Sequence, residues 1–240
     1  MILSDANILV TDDEPELLDI YAAWLTNAGC KSVKSAAHGK AALAAIEEWP
    51  IDLVLTDVRM PVMDGVTLVR FLAKSGKPIP SIVFVSGFGD VDVREMYALG
   101  VEAFLVKPCQ KENLIGVMEH ALADRSTLWD TPLNLAPKQS IVIEVDQIDE
   151  AVGPKSLQLG HGGFSALEDG TMGLGKIAFQ CDIASQQQRI SGQGYVRWKS
   201  QMERKIGVEF AFIEEPGRTW LLGEIEARNP RSFIPSHQIS

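Results

Sequence analysis

The sequence predicts an α/β protein in which a doubly wound, five-stranded parallel sheet is followed by a small antiparallel β-barrel. Short apolar runs alternate with helical segments over the first 124 residues, the pattern of a parallel sheet flanked by helices. One run, Leu53–Thr56, has almost no polar position, as expected for a strand covered by helices on both faces. After residue 138 the runs become short and alternating, separated by Gly and Asp clusters, which favours a barrel.

The first half is predicted to contain five strands alternating with five helices. The clearest strands are Ile8–Val10, Leu53–Thr56, Ser81–Val85 and Ala103–Val106. The predicted helices are Glu14–Ala28, residues 39–49, Val66–Lys74, Val91–Leu99 and Glu112–Ala123. In the first helix apolar side chains recur at helical spacing, with Pro15 suited to its first turn and Gly29 to its end. In sheets of this type, ligands bind beyond the carboxyl ends of the strands.

The predicted domains are a doubly wound domain over residues 1–125, a linker over 126–138, a barrel over 139–228 and a loose tail over 229–240. Two prolines and mixed polarity indicate the linker, and the tail is polar and contains prolines. The runs that predict the barrel strands are Ile141–Val145, Phe164–Leu167, Lys176–Cys181, Gly194–Trp198, Lys205–Phe212 and Trp220–Ile225.

Composition argues against several classes of protein. The net charge is −10, and neither residues 1–126 (11 basic, 18 acidic) nor residues 127–240 (11 basic, 14 acidic) are basic, so we expect no nucleic-acid partner. No apolar run approaches the roughly 18 residues of a membrane span, and no secretion signal is evident. Cys30, Cys109 and Cys181 form no CxxC pair, so neither disulfides nor a zinc site is expected. These features predict a cytoplasmic protein without a membrane partner.

Three predicted strand ends carry charged side chains that should meet at one edge of the sheet. Asp12 and Asp13 follow the first strand, Asp57 follows the third, and Lys107 follows the last. Mg²⁺ prefers oxygen ligands and needs only one or two carboxylates besides a phosphate, so Asp12, Asp13 and Asp57 are the candidate metal ligands. The backbone carbonyl of Arg59 could complete the metal shell. Asp57 would then attack phosphorus as a carboxylate nucleophile, while Lys107 and the metal neutralise the phosphoryl oxygens.

Each of these residues also has a purely structural interpretation. Asp12 or Asp13 could cap the helix that begins near Pro15, and Lys107 before Pro108 could be a solvated loop lysine. Their joint occurrence at the ends of strands one, three and five favours the functional interpretation.

Residues 1 to about 124 resemble the receiver domain of two-component response regulators, a flavodoxin-like fold. The matching motifs are Asp12-Asp13, Asp57 with Met60-Pro61 and Asp64-Gly65, Ser86 after Ile82-Val83-Phe84-Val85, and Lys107-Pro108. The resemblance implies that Asp57 accepts a phosphoryl group from a histidine kinase or phosphotransfer protein, with Mg²⁺. It also implies that Ser86 bonds the phosphoryl group and that Phe104 turns inward as the switch aromatic, although a plain core role for Phe104 is an even alternative. Receivers often pair on phosphorylation, so a homodimer is one expectation.

Residues from about 138 to 228 resemble a PilZ domain, a small β-barrel that typically binds cyclic di-GMP. The frame matches in Gly163-Phe164-Ser165, Gly194–Trp198 and Ile206–Phe210. The ligand motifs are degenerate: the approach to the first strand, Asn134 to Gln139, contains no arginine, and Gln158, Gly160 and Gly163 stand in a turn where only the final glycine fits the family pattern. Because paired guanidinium groups grip phosphate and stack on guanine, we expect no cyclic di-GMP binding and an output through an unknown protein partner.

Two alternatives remain open at this level. The first is a dual sensor that binds cyclic di-GMP through the non-standard residues Arg125, Lys138, Arg189 or Arg197. The second is a phosphohydrolase, which is disfavoured because such enzymes usually carry an acid two residues after the nucleophile, where this chain has Arg59. We therefore expect a signalling phosphoacceptor with only self-phosphorylation and self-dephosphorylation chemistry, not an enzyme.

Overall fold

The computed structural model describes residues 1–75, 79–87, 92–149 and 155–236. The chain forms two compact units. The first comprises residues 1–92 and 101–124, and the second comprises residues 93–100 and 125–240. One helical segment of the first half thus belongs to the second unit.

The first unit contains the predicted five-stranded parallel sheet. Its strands are β1 (Asn7–Thr11), β2 (Ser32–Ala36), β3 (Leu53–Asp57), β4 (Ser81–Ser86) and β5 (Ala103–Val106), in the order β2-β1-β3-β4-β5. The helices up to residue 124 are α1 (Pro15–Asn27), α2 (Gly39–Glu48), α3 (Gly65–Lys74), α4 (Val93–Ala98) and α5 (Lys111–Leu122). A short 3-10 helix, Leu3–Asp5, precedes β1. Of these elements, α4 belongs to the second unit.

Apolar burial explains the sheet and its helices. Strands β1, β3 and β4 are buried along nearly their whole length, as expected for strands with helices on both faces. Tyr21 and Leu25 lie one helical turn apart on α1 and face the core. Leu114 and Met118 do the same on α5 and join the same cluster. This packing fixes the carboxyl ends of the strands, where the charged residues lie.

The second unit is built on a seven-stranded mixed sheet. Its strands are β6 (Ser140–Val145), β7 (Gln147–Asp149), β8 (Ser156–Leu159), β9 (Gly163–Leu167), β10 (Gly175–Ile183), β11 (Gln188–Ser200) and β12 (Lys205–Ile213). Their order is β6-β10-β11-β12-β9-β8-β7. A short 3-10 helix, Ala184–Gln186, and the helices α6 (Arg125–Leu128) and α7 (Gly217–Arg228) complete the unit.

The strand pairing differs from the predicted antiparallel barrel. The pairs β6–β10 and β7–β8 are parallel, whereas the other pairs are antiparallel. Among the strand pairings of the described residues, none joins β6 to β7, so the sheet curls into a half-barrel and is not closed there. Alternation along a strand reports which face is buried, but it does not report the direction of the neighbouring strand, which is why the sequence did not reveal the parallel pairs.

The core of the second unit contains a group of aromatic rings among aliphatic side chains. The rings of Phe164, Phe179 and Phe210 contact one another with centroids 5.3–5.8 Å apart. Trp129 packs edge-on against Phe210 at 5.0 Å and is buried. Part of the predicted linker over 126–138 therefore belongs to this core, which the polar and proline-containing sequence around Trp129 does not indicate.

Two further segments differ from the sequence prediction. The run Trp220–Ile225, predicted as a strand, lies in α7, where Leu221 and Ile225 lie one turn apart and are buried. A short apolar run does not distinguish a strand from one face of a helix. The tail predicted to be loose is packed at Phe233 and Ile234, which are 6% and 0% exposed. Residues 237–240 of that prediction lie outside the described residues.

None of the helices in the described ranges is both long enough and apolar enough to cross a lipid bilayer.

Candidate functional site

The structure brings the predicted charged residues together at the carboxyl edge of the first sheet. The Lys107 ammonium donates to Oδ2 of Asp12 at 2.8 Å and to Oδ2 of Asp57 at 3.1 Å. Oε1 of Glu14, which the sequence analysis did not single out, lies 3.7 Å from the same nitrogen. The lysine from the end of β5 therefore bridges the carboxylates at the ends of β1 and β3.

The backbone holds the second oxygen of each bridged carboxylate. The amide of Val58 donates to Oδ1 of Asp57 at 2.7 Å, and the amide of Glu14 donates to Oδ1 of Asp12 at 3.0 Å. In each carboxylate, one oxygen thus accepts a hydrogen bond from the backbone of its own loop, and the other accepts one from Lys107. This arrangement orients Oδ2 of Asp57 toward the cation, where an incoming phosphoryl group would also find its counter-charge.

Burial makes the electrostatics of this cluster strong. Asp12 is 1% exposed and Asp57 is 7% exposed. Burial raises the pKa of Asp12 above its usual value, and the hydrogen bond from Lys107 only partly offsets this effect. For Lys107, burial lowers the pKa, but the hydrogen bonds to Asp12 and Asp57 outweigh burial, and the net result is a raised pKa. Lys107 is therefore a permanent cation at neutral pH.

The donor set fits a hard divalent cation. Asp12, Asp13 and Asp57 each offer a carboxylate oxygen, and these oxygens lie within 4.8 Å of one another. Asp13 is exposed, so the cluster opens to solvent on one side, where a hydrated ion could enter. Mg²⁺ keeps several waters and needs few protein carboxylates, so these three residues would hold it. Arg59 lies exposed just after β3, and the role of its carbonyl as a ligand stays a prediction.

The Asp64-Gly65 pair shapes the loop that follows Asp57. Oδ1 of Asp64 accepts the amide of Thr67 at 2.6 Å and caps α3. The amide of Gly65 donates to the carbonyl of Val58 at 2.9 Å. A side chain at Gly65 would overlap the backbone carbonyl oxygen of Asp57. Glycine at this position therefore lets α3 begin directly against the end of β3.

Ser86 and Phe104 occupy the positions expected from the order of the strands. Ser86 ends β4 and is 1% exposed, and its carbonyl accepts the amide of Lys107 at 2.8 Å. Phe104 lies in β5, paired in register with Phe84 of β4, and is half-buried. Contact of Ser86 with a phosphoryl group and the switch role of Phe104 stay predictions.

The residues considered for cyclic di-GMP binding differ in their partners and in their exposure to solvent. Arg189 is paired with Asp182, and Arg197 is paired with Glu209 and lies over the ring of Tyr195. Lys138 is exposed and Arg125 is half-buried. Gln158 lies in β8, and the turn between Gly160 and Gly163 is closed by a hydrogen bond from the amide of Gly160 to the carbonyl of Gly163 at 2.8 Å.

Comparison with known proteins identifies the N-terminal domain, and the matched range includes α4. Residues 8–119 match the family model of the response regulator receiver domain. The "Uncharacterized transcriptional regulatory protein YesN" of Bacillus subtilis (strain 168) is 34% identical over 122 residues, 49% of this chain and 32% of that protein. The response regulator protein TmoT of Ectopseudomonas mendocina is 31% identical over 133 residues, 55% of this chain and 54% of that protein.

A solved structure is similar over the same share of the chain. The chemotaxis response regulator CheY4 of Vibrio cholerae has 28% sequence identity and a TM-score of 0.46, covering 49% of this chain and 99% of that one. The chain spans about a third of the YesN protein and about half of the TmoT protein. The family match therefore concerns the N-terminal domain, which is a response regulator receiver domain.

Proposed function

We propose that this receiver domain takes a phosphoryl group on Asp57 and that the second unit converts this event into contact with another protein. One observation carries the proposal: Oδ2 of Asp57 is bonded to Lys107 and lies within 4.8 Å of carboxylate oxygens of Asp12 and Asp13. A carboxylate with a fixed cation and an acidic metal cluster beside it is equipped to receive phosphate rather than to bind a metabolite. Receiver domains interact with histidine kinases or phosphotransfer proteins, and such a protein is the proposed donor.

The residues divide the chemistry of transfer among themselves. Oδ2 of Asp57 forms the new bond to phosphorus while the phosphorus–nitrogen bond of the donor's phosphohistidine breaks, and the electron pair stays on the departing imidazole nitrogen. The amide of Val58 keeps Oδ1 in place, so the carboxylate presents the same oxygen throughout. Lys107 moves with the developing charge and pairs with the phosphoryl oxygens. When bound, Mg²⁺ supplies further neutralisation of those oxygens.

The experiment that tests this proposal is labelling by a small phosphodonor. The full chain is incubated with acetyl phosphate and Mg²⁺, and intact-protein mass spectrometry counts phosphoryl groups per chain. We expect one group on the wild-type chain and none on Asp57→Asn. The matched control is Asp64→Asn, which removes a neighbouring carboxylate but keeps a residue that caps α3 equally well, and it should label fully.

Two results would contradict the assignment. Full labelling of Asp57→Asn would place the phosphoryl group elsewhere. Continued release of inorganic phosphate, far beyond one group per chain and lost in Asp57→Asn, would instead support the phosphohydrolase alternative.

The proposed output domain is a PilZ-like half-barrel that acts without cyclic di-GMP. Arg189 and Arg197 are already paired with carboxylates, so a nucleotide phosphate would have to displace Asp182 or Glu209. The residues directly before β6, Asn134 to Gln139, contain no arginine. Without the guanidinium pair that grips phosphate, contact with a protein remains the natural output. Pairing of two copies through the receiver on phosphorylation belongs to the same proposal, as does a cytoplasmic location.

A calorimetric titration of the full-length chain with cyclic di-GMP tests this part. We expect no heat of binding, because the paired arginines leave no guanidinium fork for the phosphates. Saturable binding that Arg197→Lys weakens would instead support the dual sensor.

A further inference from the structure

The chain that follows α7 forms backbone hydrogen bonds with two different parts of the second unit. We call residues 230–235 the tail segment and residues 160–163 the glycine turn. The amides of His161 and Gly162 donate to the carbonyls of Ser232 and Phe233 at 2.8 and 2.9 Å. On the other side, the amide of Phe233 donates to the carbonyl of Tyr97, in the last turn of α4, at 2.9 Å. The tail segment therefore connects α4 to the glycine turn through its backbone.

Side chains reinforce this backbone pairing. The ring of Phe233 stacks on Tyr97 with centroids 5.7 Å apart, and it meets His161 edge-on at 5.3 Å. Phe233 and Ile234 form a small apolar cluster with Trp198, and Tyr97 packs against it. This cluster is separate from the aromatic core around Phe164. Phe233 thus acts as an anchor whose contacts come from α4, from the glycine turn and from β11.

Glycines make room for the tail segment wherever it lies closest. A Cβ atom at Gly160 would lie 2.7 Å from the carbonyl oxygen of Ser232, and one at Gly162 would overlap the ring of Phe233. At Gly100, just after α4, a Cβ atom would lie 2.5 Å from the carbonyl oxygen of Arg231. These distances are below any normal van der Waals contact, so glycine is required for the segment to bind here.

The tail segment has the properties of a bound peptide more than of a structural element. It has no helix or strand of its own and bends at residues 231, 233 and 234, and neighbouring residues hydrogen-bond to its main chain, as they do to a bound peptide. It also donates to the carbonyl of Tyr97 in the last turn of α4, which accepts the amide of Gly100 at 3.2 Å as well. The free energy that keeps α4 on the second unit therefore comes in part from this segment.

We propose that the glycine turn is a binding surface for a peptide in which an aromatic residue is followed by an aliphatic one. The chain's own tail segment occupies this surface, and this strap holds α4 on the second unit. The strap is independent of the phosphorylation proposed above, so each proposal can fail without the other. Because the tail segment and the glycine turn belong to one chain, the effective concentration of the segment at this surface is high. Binding within the chain is therefore favoured over binding of a separate peptide.

Hydrogen exchange of the full chain, followed by mass spectrometry, tests the strap. In Phe233→Ala the anchor is lost, so we expect peptides covering residues 93–100, 158–163 and 230–236 to exchange at least tenfold faster. Peptides from β6 and β10 should keep their wild-type rates, because these strands pair with neither the glycine turn nor the tail segment. Gly160→Ala is the second variant: it keeps every tail side chain and only places a methyl group against the carbonyls of Ser232 and Phe233, and it should give the same pattern.

The control variant is Leu135→Ala, which truncates an apolar side chain that is 69% exposed, and its exchange should match the wild type throughout. Two outcomes would overturn the proposal. If residues 93–100 keep their protection while the tail segment is released, the segment does not hold α4. If Phe233→Ala and Gly160→Ala both accelerate β6 and β10 as much as α4, the segment is part of the common core and not a separable strap.

Discussion

At the scale of single residues, Lys107 is the group on which the site depends. It is the cation that the described structure places on the carboxylates of Asp12 and Asp57, both of which are buried. A buried carboxylate without a partner is costly, and removing one member of a buried ion pair typically costs about 3–5 kcal/mol. The same lysine competes with any metal for the oxygens Oδ2 of Asp12 and Asp57.

Lys107→Met tests both roles in one measurement. We expect the free energy of unfolding to fall by about 3 kcal/mol, because two buried carboxylates lose their counter-charge. We also expect Mg²⁺ to raise the midpoint of thermal unfolding more in Lys107→Met than in the wild type, since a ligand that binds only the folded state stabilises it. Thermal and urea unfolding, each with and without Mg²⁺, provide the numbers.

The control is Lys40→Met, which removes an exposed lysine from α2 and should change neither quantity. Equal stability of Lys107→Met and the wild type, with equal responses to Mg²⁺, would show that Lys107 does not stabilise the buried carboxylates of the site.

Sequence reasoning was most successful at this scale, and the reason is physical. A charged residue directly after a buried strand has few places to lie, so Asp12, Asp57 and Lys107 could be placed from their spacing alone. Glu14 could not, because its approach to Lys107 depends on the path of the loop before α1. Likewise, Phe233 and Tyr97 carry no local signal, since their partners are distant in sequence.

At the scale of elements, the loop between β3 and α3 fixes the position of Asp57 in the fold. The capped start of α3 and the close approach of Gly65 to the backbone of Asp57 set the direction in which Asp57 leaves its strand. A methyl group at this glycine has no space, and it would push α3 away from the site.

Gly65→Ala should therefore destabilise the chain, although alanine is the better helix former. We expect the free energy of unfolding to fall by about 1–3 kcal/mol, the usual range for overpacking, and the rate of labelling at Asp57 to fall with it. Urea unfolding and the phosphodonor assay measure the two effects.

The matched control for this variant is Gly116→Ala. Gly116 also lies in a helix, α5, but a Cβ atom there meets nothing within 4 Å. This variant should gain about 0.5–1 kcal/mol from helix propensity alone. A stabilised Gly65→Ala that labels normally would show that the contact with Asp57 is not restrictive.

Elements whose signal is local were predictable, and those that depend on distant partners were not. Strand β2 has the sequence Ser-Val-Lys-Ser-Ala at the edge of the sheet and no apolar run, so its range could not be assigned. Helix α7 was predicted as a strand because its turn-spaced residues Leu221 and Ile225 lie within one short apolar run. The parallel pair β6–β10 is set by contacts between segments far apart in sequence.

At the scale of the whole molecule, the chain joins a receiver domain to a second unit of different architecture. The family match ends at residue 119, and the second unit begins its continuous part at residue 125. The receiver could be assigned from sequence because its motifs are charged residues at strand ends. The second unit could be predicted as β-rich, but its role rests on the proposals above, because its scaffold motifs carry no chemistry of their own.

The central claim is that Asp57 is the phosphoacceptor of a metal-assisted site, and site mapping tests it most directly. The chain is treated with acetyl phosphate in Mg²⁺ or in EDTA, reduced with borohydride to trap any acyl phosphate as homoserine, and analysed peptide by peptide. The account predicts trapping at position 57 in Mg²⁺ and almost none in EDTA. Trapping at another carboxylate, or equal trapping at Asp57 without a divalent cation, would contradict it.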